Sequence, residues 1–237
     1  VEQYVECTHE YWRSNGKFTP NITLRLASGG YIGGGLYHSQ NLEGALTTLP
    51  GARIVCPSFA DDAAGLLRTS MRSKGFTLYL EPKALYNSVE AAAVVPEEFE
   101  VPFGKARIRR EGTDLTIITY GNTTHFCLDV AERLAREGVG SVEVIDLRSL
   151  IPLDKEAIFA SVRKTGKVMV VHEDKVFSGF GAEIAAQIAG EMFRYLDAPV
   201  QRVGSTFTPV GFNPILERAI LPNDEKIYKA AKELREF

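Results

Sequence analysis

Leu115-Thr116-Ile117-Ile118-Thr119-Tyr120-Gly121-Asn122-Thr123 decides the fold. Its β-branched and apolar residues carry no helical period, so the first six read as a buried strand. Gly121 breaks the run, and Asn122 and Thr123 are cap candidates for a helix. Cys127, Val130, Ala131 and Leu134 then share one helical face, and the helix closes near Gly138. The pattern repeats downstream. Residues 142–147 read as a strand, and Asp154 caps a helix of Ala157, Ile158 and Val162 that ends at Gly166. Strands at 168–171 and 200–203 frame a small-residue helix over 181–195, and a final helix spans 224–234. Buried strands alternating with helices predict a parallel sheet covered on both faces.

The upstream part obeys the same rule less cleanly. Residues 22–26, 53–56 and 76–80 read as strands. Pro57 stops the second of these, and Ser58 is placed to cap a helix carrying Ala63, Leu66, Leu67 and Met71 on one face. Residues 89–112 show neither period and read as a linker lying along a surface. The expected fold class is therefore α/β, two sandwich domains in series, 1–104 and 105–237.

The 237 residues carry a mild, unclustered net charge of −3, which favours neither nucleic acid nor a membrane surface as partner. No apolar run approaches the roughly 20 residues of a membrane span. The first residues are no signal peptide and lack an initiator Met, so the chain is expected to begin inside a longer product. Cys7, Cys56 and Cys127 lie far apart, with no C-x-x-C and no H-E-x-x-H, which argues against structural zinc and disulfides.

One stretch is loaded with glycine: Gly29-Gly30-Tyr31-Ile32-Gly33-Gly34-Gly35-Leu36-Tyr37-His38-Ser39-Gln40. It fits neither G-x-G-x-x-G nor a P-loop. Its glycines call for unusual backbone angles or close approach of another group. His38 reads either as a general acid/base or as an incidental histidine on a flexible loop. Ligands of open α/β sheets gather beyond strand carboxyl ends. Three such positions stand out: the His38 loop, His172-Glu173-Asp174, and Thr119-Tyr120-Gly121-Asn122. His172 is either a tuned acid/base or a strand-end residue holding a loop by hydrogen bonds, the second reading ranking first. His125 and His9 read as packing or surface residues, and Ser39 has no triad partner in sequence.

Residues 36–43 and 49–58 closely resemble the β component (E1β) of thiamine-diphosphate-dependent 2-oxo acid dehydrogenases. So do Leu80-Glu81-Pro82-Lys83-Ala84-Leu85-Tyr86, residues 144–154, His172-Glu173-Asp174, Gly179-Phe180-Gly181-Ala182-Glu183 and Thr208-Pro209-Val210-Gly211-Phe212. The resemblance runs in order through nearly the whole chain. It implies a partial pyrimidine-type thiamine diphosphate domain followed by a transketolase C-terminal-like domain. It implies oxidative decarboxylation of a 2-oxo acid with acyl transfer to a lipoyl group, His38 handling the proton. Thiamine diphosphate and magnesium are the implied cofactors, held mostly by an upstream segment and an α component. The activating glutamate and its stacking aromatic belong upstream of Val1, so the first sheet is expected to show a broken edge and the chain alone to be inactive.

The resemblance also implies a structural potassium site at Ile22, Ser70, Met71, Ser73 and Gly75. Ser73 stands where many relatives have Asp, Gly75 where they have Asn, and Ala27 where they have Pro. The implied partners are E1α (separate or fused), a second β copy and the E2 lipoyl acyltransferase, in bacterial cytoplasm before mitochondrial matrix. Leu36-Tyr37-His38 and Glu81-Pro82-Lys83 look more like the branched-chain (2-oxoisovalerate) members than the pyruvate members. A sugar-phosphate thiamine enzyme is disfavoured because residues 29–43 contain no Arg or Lys. A non-catalytic dimerisation and docking module is the remaining alternative, with helix 224–234 and Phe237 as its expected contact elements.

Overall fold

Leu115–Thr119 is the central strand of a five-stranded sheet, and all five of its residues are buried. The computed structural model describes residues 2–237. In chain order the elements begin α1 (Glu2–Arg13), β1 (Asn21–Ser28), α2 (Gly35–His38), α3 (Glu43–Leu46), β2 (Ala52–Val55), α4 (Ala60–Arg72) and β3 (Gly75–Pro82). There follow β4 (Arg107–Arg110), β5 (Leu115–Thr119), α5 (Thr123–Arg136), β6 (Val142–Asp146), β7 (Ser149–Ile151) and α6 (Lys155–Thr165). The last are β8 (Val168–Lys175), α7 (Phe180–Glu191), β9 (Gln201–Ser205), α8 (Pro214–Ile220) and α9 (Asp224–Glu236).

The second sheet runs β4-β6-β5-β8-β9, parallel except for the antiparallel edge β4. Strand alternation sends Leu115 and Ile117 to one face and Ile118 to the other. The first face packs against Cys127, Val130, Ala131 and Leu134 of α5 and Ile227, Ala231 and Leu234 of α9. Helix α9 thus packs one face on this core and exposes the other, with Glu225, Lys229, Lys232 and Glu233 in solvent, and Phe237 beyond it is exposed. The second face meets Ile158 and Val162 of α6 and Ile184 and Ile188 of α7, and that core continues into Ile54, Leu78 and Leu80 of the other sheet.

The first sheet has the order β1-β3-β2-β7. Strands β1, β3 and β2 are parallel, while β7 is antiparallel to β2 and comes from beyond residue 104. Strand β1 forms the edge, with Ile22 and Leu24 exposed.

Local rules failed at three points. Ser58 does not cap α4; its hydroxyl meets that of Thr124 at 2.9 Å, and Phe59 stands at the N-cap. Asn122 occupies the N-cap of α5 without a side-chain cap bond, while the Thr123 hydroxyl donates to the Tyr120 carbonyl at 3.0 Å. Asp154 does cap α6, accepting from the Ala157 amide, and Gly166 closes it at φ +67°. The expected linker is irregular and lies along α4, burying Val101, but its end forms β4. Arg109 of that strand pairs with Asp62 of α4 and with Asp146 of β6, the latter at 2.7 Å. Arg148 reaches Asp62 at 2.8 Å. This buried network ties the helix of the first sheet to the edge of the second.

Candidate functional site

Strand β1 ends at Ser28, and the chain then turns over the carboxyl end of the second sheet. Gly29 has φ +85°, a left-handed conformation that a side chain resists. A Cβ there would also lie 2.6 Å from Glu173 Oε1. The next amide, Gly30 N–H, donates to that same oxygen at 2.5 Å. Gly33 N–H reaches Glu217 Oε1 of α8 at 3.3 Å, and the Tyr31 hydroxyl donates to the Pro222 carbonyl. Gly29 N–H closes the base of the loop on the Gln40 carbonyl at 3.0 Å. Gly29 is there because a carboxylate comes up against the backbone, whereas Gly35 faces Phe212 and Gly33 faces open space.

Two further contacts complete the seat. Gly44 N–H donates to Asp174 Oδ2 at 3.0 Å, and a Cβ on Gly44 would lie 2.8 Å from that oxygen. Lys175 Nζ donates to Gln40 Oε1 at 3.1 Å. The single-turn helix α2 stands on this platform with His38 at its end, exposed to solvent. Ser39 is buried with no hydrogen-bond partner for its hydroxyl, so it forms no dyad with His38.

The three strand-end positions converge. Tyr120 O–H approaches Glu43 Oε1 at 3.3 Å, and Glu43 lies just after the His38 loop. Glu43 Oε2 and Asn122 Nδ2 are buried without partners and border a common cavity of about 10 Å3, room for one water. Burial, then the nearby Asp174 carboxylate, pushes the Glu43 carboxyl up to about 7. Burial likewise pushes Glu173 up to about 7 against the opposing pull of the Gly30 amide, and raises Asp174. In the sequence Glu43 stands out only as one letter of the 36–43 motif. Its one local signal is a carboxylate followed by Gly44-Ala45-Leu46, a context too apolar for a solvated acid.

His172 behaves differently from the first-ranked expectation. It is fully buried in β8, parallel to the Tyr120 ring at 6.4 Å, and neither ring nitrogen has a partner. Burial, then Arg202, holds its pKa down to about 4, so the ring is neutral. It holds no loop by hydrogen bonds; the next two residues, Glu173 and Asp174, do. His125 Nε2 lies 2.8 Å from the Ser58 carbonyl and its ring packs on Phe59, while His9 packs beside Trp12.

The residues of the implied potassium site surround the turn between α4 and β3. Ser70 and Met71 end α4, Ser73 is its C-cap, Gly75 opens β3 at φ +100°, and Ile22 pairs with Phe76 next to it. Ser70 Oγ donates to the Leu66 carbonyl of its own helix, and the Arg53 guanidinium takes the Lys74 carbonyl at 2.6 Å. Among the described residues no three His, Cys, Asp or Glu side chains gather in a metal-binding group.

Parallel strands, covering helices and a loop seated at the strand ends define a transketolase-type chain. Residues 104–227 match the transketolase C-terminal domain family. A split-gene transketolase solved as an inactive β4 tetramer superposes with a TM-score of 0.73 at 21% identity, over 98% of this chain and 73% of that one. The 2-oxoisovalerate dehydrogenase subunit beta of Bacillus subtilis (strain 168) is 40% identical over 95% of this chain and 69% of its own length. The pyruvate dehydrogenase E1 component subunit beta of the same organism is 39% identical, and that of Staphylococcus aureus 41%, over equal shares. The chain belongs to the E1β subunits of the 2-oxo acid dehydrogenases. These identities do not separate the branched-chain type from the pyruvate type.

The family uses thiamine diphosphate, and the described residues do not by themselves form a seat for it. The cavity under the loop has room for one water only, and of its two carboxylates Glu173 already accepts from the Gly30 amide. The large cleft of about 490 Å3 beside α4 has Arg25 and Glu81 as its only charged wall residues, and these pair with each other, leaving no free cation for a diphosphate. His38 does not line it. No helix among the described residues is long and apolar enough to cross a membrane.

Proposed function

We propose that this chain is the E1β portion of a branched-chain 2-oxo acid dehydrogenase and that His38 is its proton donor in acyl transfer to a lipoyl group. One observation carries the role: an exposed imidazole ends a loop anchored from the second sheet through the amides of Gly30 and Gly44 and the side chain of Gln40. When the acyl group forms a bond to one lipoyl sulfur, the S–S bond breaks and the other sulfur leaves as a thiolate. Two electrons pass from the acyl donor to the disulfide, and the thiolate takes a proton. An imidazolium can hand over that proton as a general acid. The cofactor supplies the acyl carbanion chemistry; this chain supplies the placed proton.

The branched-chain choice rests on Leu36-Tyr37-His38 and Glu81-Pro82-Lys83. An E1α component, a second β copy and an E2 lipoyl acyltransferase are the proposed partners, in bacterial cytoplasm. The exposed Tyr37, next to His38, and Phe212, against Gly35 of the same loop, are an apolar surface that such a partner would cover. Magnesium would sit with the diphosphate outside this chain. Potassium, if bound, would use backbone carbonyls at residues 22, 70, 71, 73 and 75, and the proposed domain division stays at 104/105. The test is lipoyl acylation by the assembled enzyme with 2-oxoisovalerate and with pyruvate. Preference for 2-oxoisovalerate supports the reading, and a clear pyruvate preference overturns the substrate choice.

A further inference from the structure

We propose that Glu173 and Asp174 are positioning residues for His38: they hold the two ends of its loop through the amides of Gly30 and Gly44 and so fix where the imidazole stands. The proposal rests on the reading of His38 given above.

The argument starts from strand geometry. In a regular strand, consecutive side chains point to opposite faces, so residues 173, 174 and 175 would not serve one loop. Here β8 departs from regular pairing with β9 between Val171 and Lys175. Glu173, Asp174 and Lys175 then reach Gly30, Gly44 and Gln40 in turn. The Ser205 hydroxyl donates to the Glu173 carbonyl and pins the irregular segment. Glycine at 29 and 44 is what lets the carboxylates close on the backbone. Asp174 also donates no freedom of its own, since its other oxygen accepts from the Lys175 amide at 2.8 Å. The clasp therefore spans two sheets and fixes backbone rather than the imidazole itself, which leaves the ring free to exchange protons.

The clasp also carries a proton-dependent element. Glu173 is faced by the Gly30 amide and Tyr31 of the loop, Lys83 after β3, Glu217 of α8, Glu43 of α3, Cys56 after β2, and Asp174 on its own strand. Burial holds its carboxyl protonated up to about 7, whereas in an opened loop it returns to its ordinary 4.5. The group is raised in the closed form, so opening becomes easier as pH rises through that window. A glutamine keeps one acceptor oxygen and removes the titration.

The test uses the assembled enzyme carrying Glu173→Ala, Glu173→Gln or Asp174→Asn. Hydrogen exchange of residues 29–44 is followed from pH 6 to 8, corrected for intrinsic rates, alongside lipoyl acylation. Glu173→Ala should speed loop exchange by about tenfold or more and lower kcat for acylation by about as much, with KM for the 2-oxo acid nearly constant. Glu173→Gln should restore most of both and abolish the rise of exchange with pH seen in the wild type. Unchanged exchange in Glu173→Ala overturns the proposal. Faster exchange with unchanged acylation supports the clasp and overturns instead the reading of His38. If Glu173→Ala fails to assemble, a pH dependence of exchange that survives in Glu173→Gln overturns the proposal by itself.

Discussion

The amide of Gly30, at the end of a strand in one sheet, donates to the carboxylate of Glu173, at the end of a strand in the other. Everything proposed for His38 depends on that junction: the loop between Gly29 and Gln40 packs Tyr31 on Phe126 but leaves Ile32, Leu36 and Tyr37 exposed.

Gly29→Ala places a methyl group against the Glu173 carboxylate in a residue with φ +85°. The left-handed conformation alone costs about 1–2 kcal/mol, and the displaced carboxylate loosens Gly30. Urea denaturation should show a loss of about 2 kcal/mol or more. A neutral effect would mean that the loop is not seated as described. Gly33→Ala, with open space around its Cβ, should cost only the backbone share.

Asp62 has no solvent exposure and faces both Arg109 and Arg148. Asp62→Ala takes one carboxylate from two buried guanidinium groups, Arg109 keeping Asp146 and Arg148 keeping the Lys105 carbonyl, and should cost about 3 kcal/mol. Asp61→Ala, which removes a partly exposed partner of Arg107, should stay within about 1 kcal/mol. Equal costs for the two variants in chemical denaturation would contradict the network's role at the junction.

Glu43 and Glu173 both have folded pKa values near 7, above their ordinary 4.5. Between those values the folded state binds more protons than the unfolded chain, so stability falls as pH rises from about 4.5 to 7. His172, held near 4 against an ordinary 6.5, acts oppositely: its contribution is lost as pH falls from 6.5 to 4. The acids should therefore show most clearly between pH 6.5 and 7. Thermal melts should give a Tm that declines over that interval and flattens in Glu43→Gln/Glu173→Gln. A Tm rising with pH there would sink this assignment.

Thiamine diphosphate should produce no measurable binding heat with this polypeptide alone at micromolar concentrations, with or without magnesium. Saturable micromolar binding in calorimetry would show that the cleft beside α4 or the His38 platform is a better seat than its charges suggest.

The strands β5, β6 and β8 were legible because they are buried on both faces and so read as unbroken apolar runs. Strand β4 was not: three arginines in Arg107–Arg110 look like a solvated linker, and their partners Asp62 and Asp146 lie far off in sequence. Strand β7 is three residues long and takes its place only by pairing with β2 across the expected division. Helix α2 hides among glycines that oppose helix formation, and it forms because its flanks are held by β8. The site divides in the same way. His38 and the Glu173-Asp174 strand end stood out locally, but their meeting did not. Glu43 matters only because Tyr120 and Asp174 converge on it. Ser58 and Asn122 show the converse, local cap chemistry that tertiary contacts or an unbonded side chain set aside.

The most direct test of the account is lipoyl acylation by the assembled enzyme carrying His38→Ala, compared with wild type on 2-oxoisovalerate. Loss of a positioned proton donor should lower kcat by about 10²- to 10⁴-fold while KM for the 2-oxo acid stays nearly constant. An acylation rate close to that of the wild type would contradict the claim that His38 gives the proton.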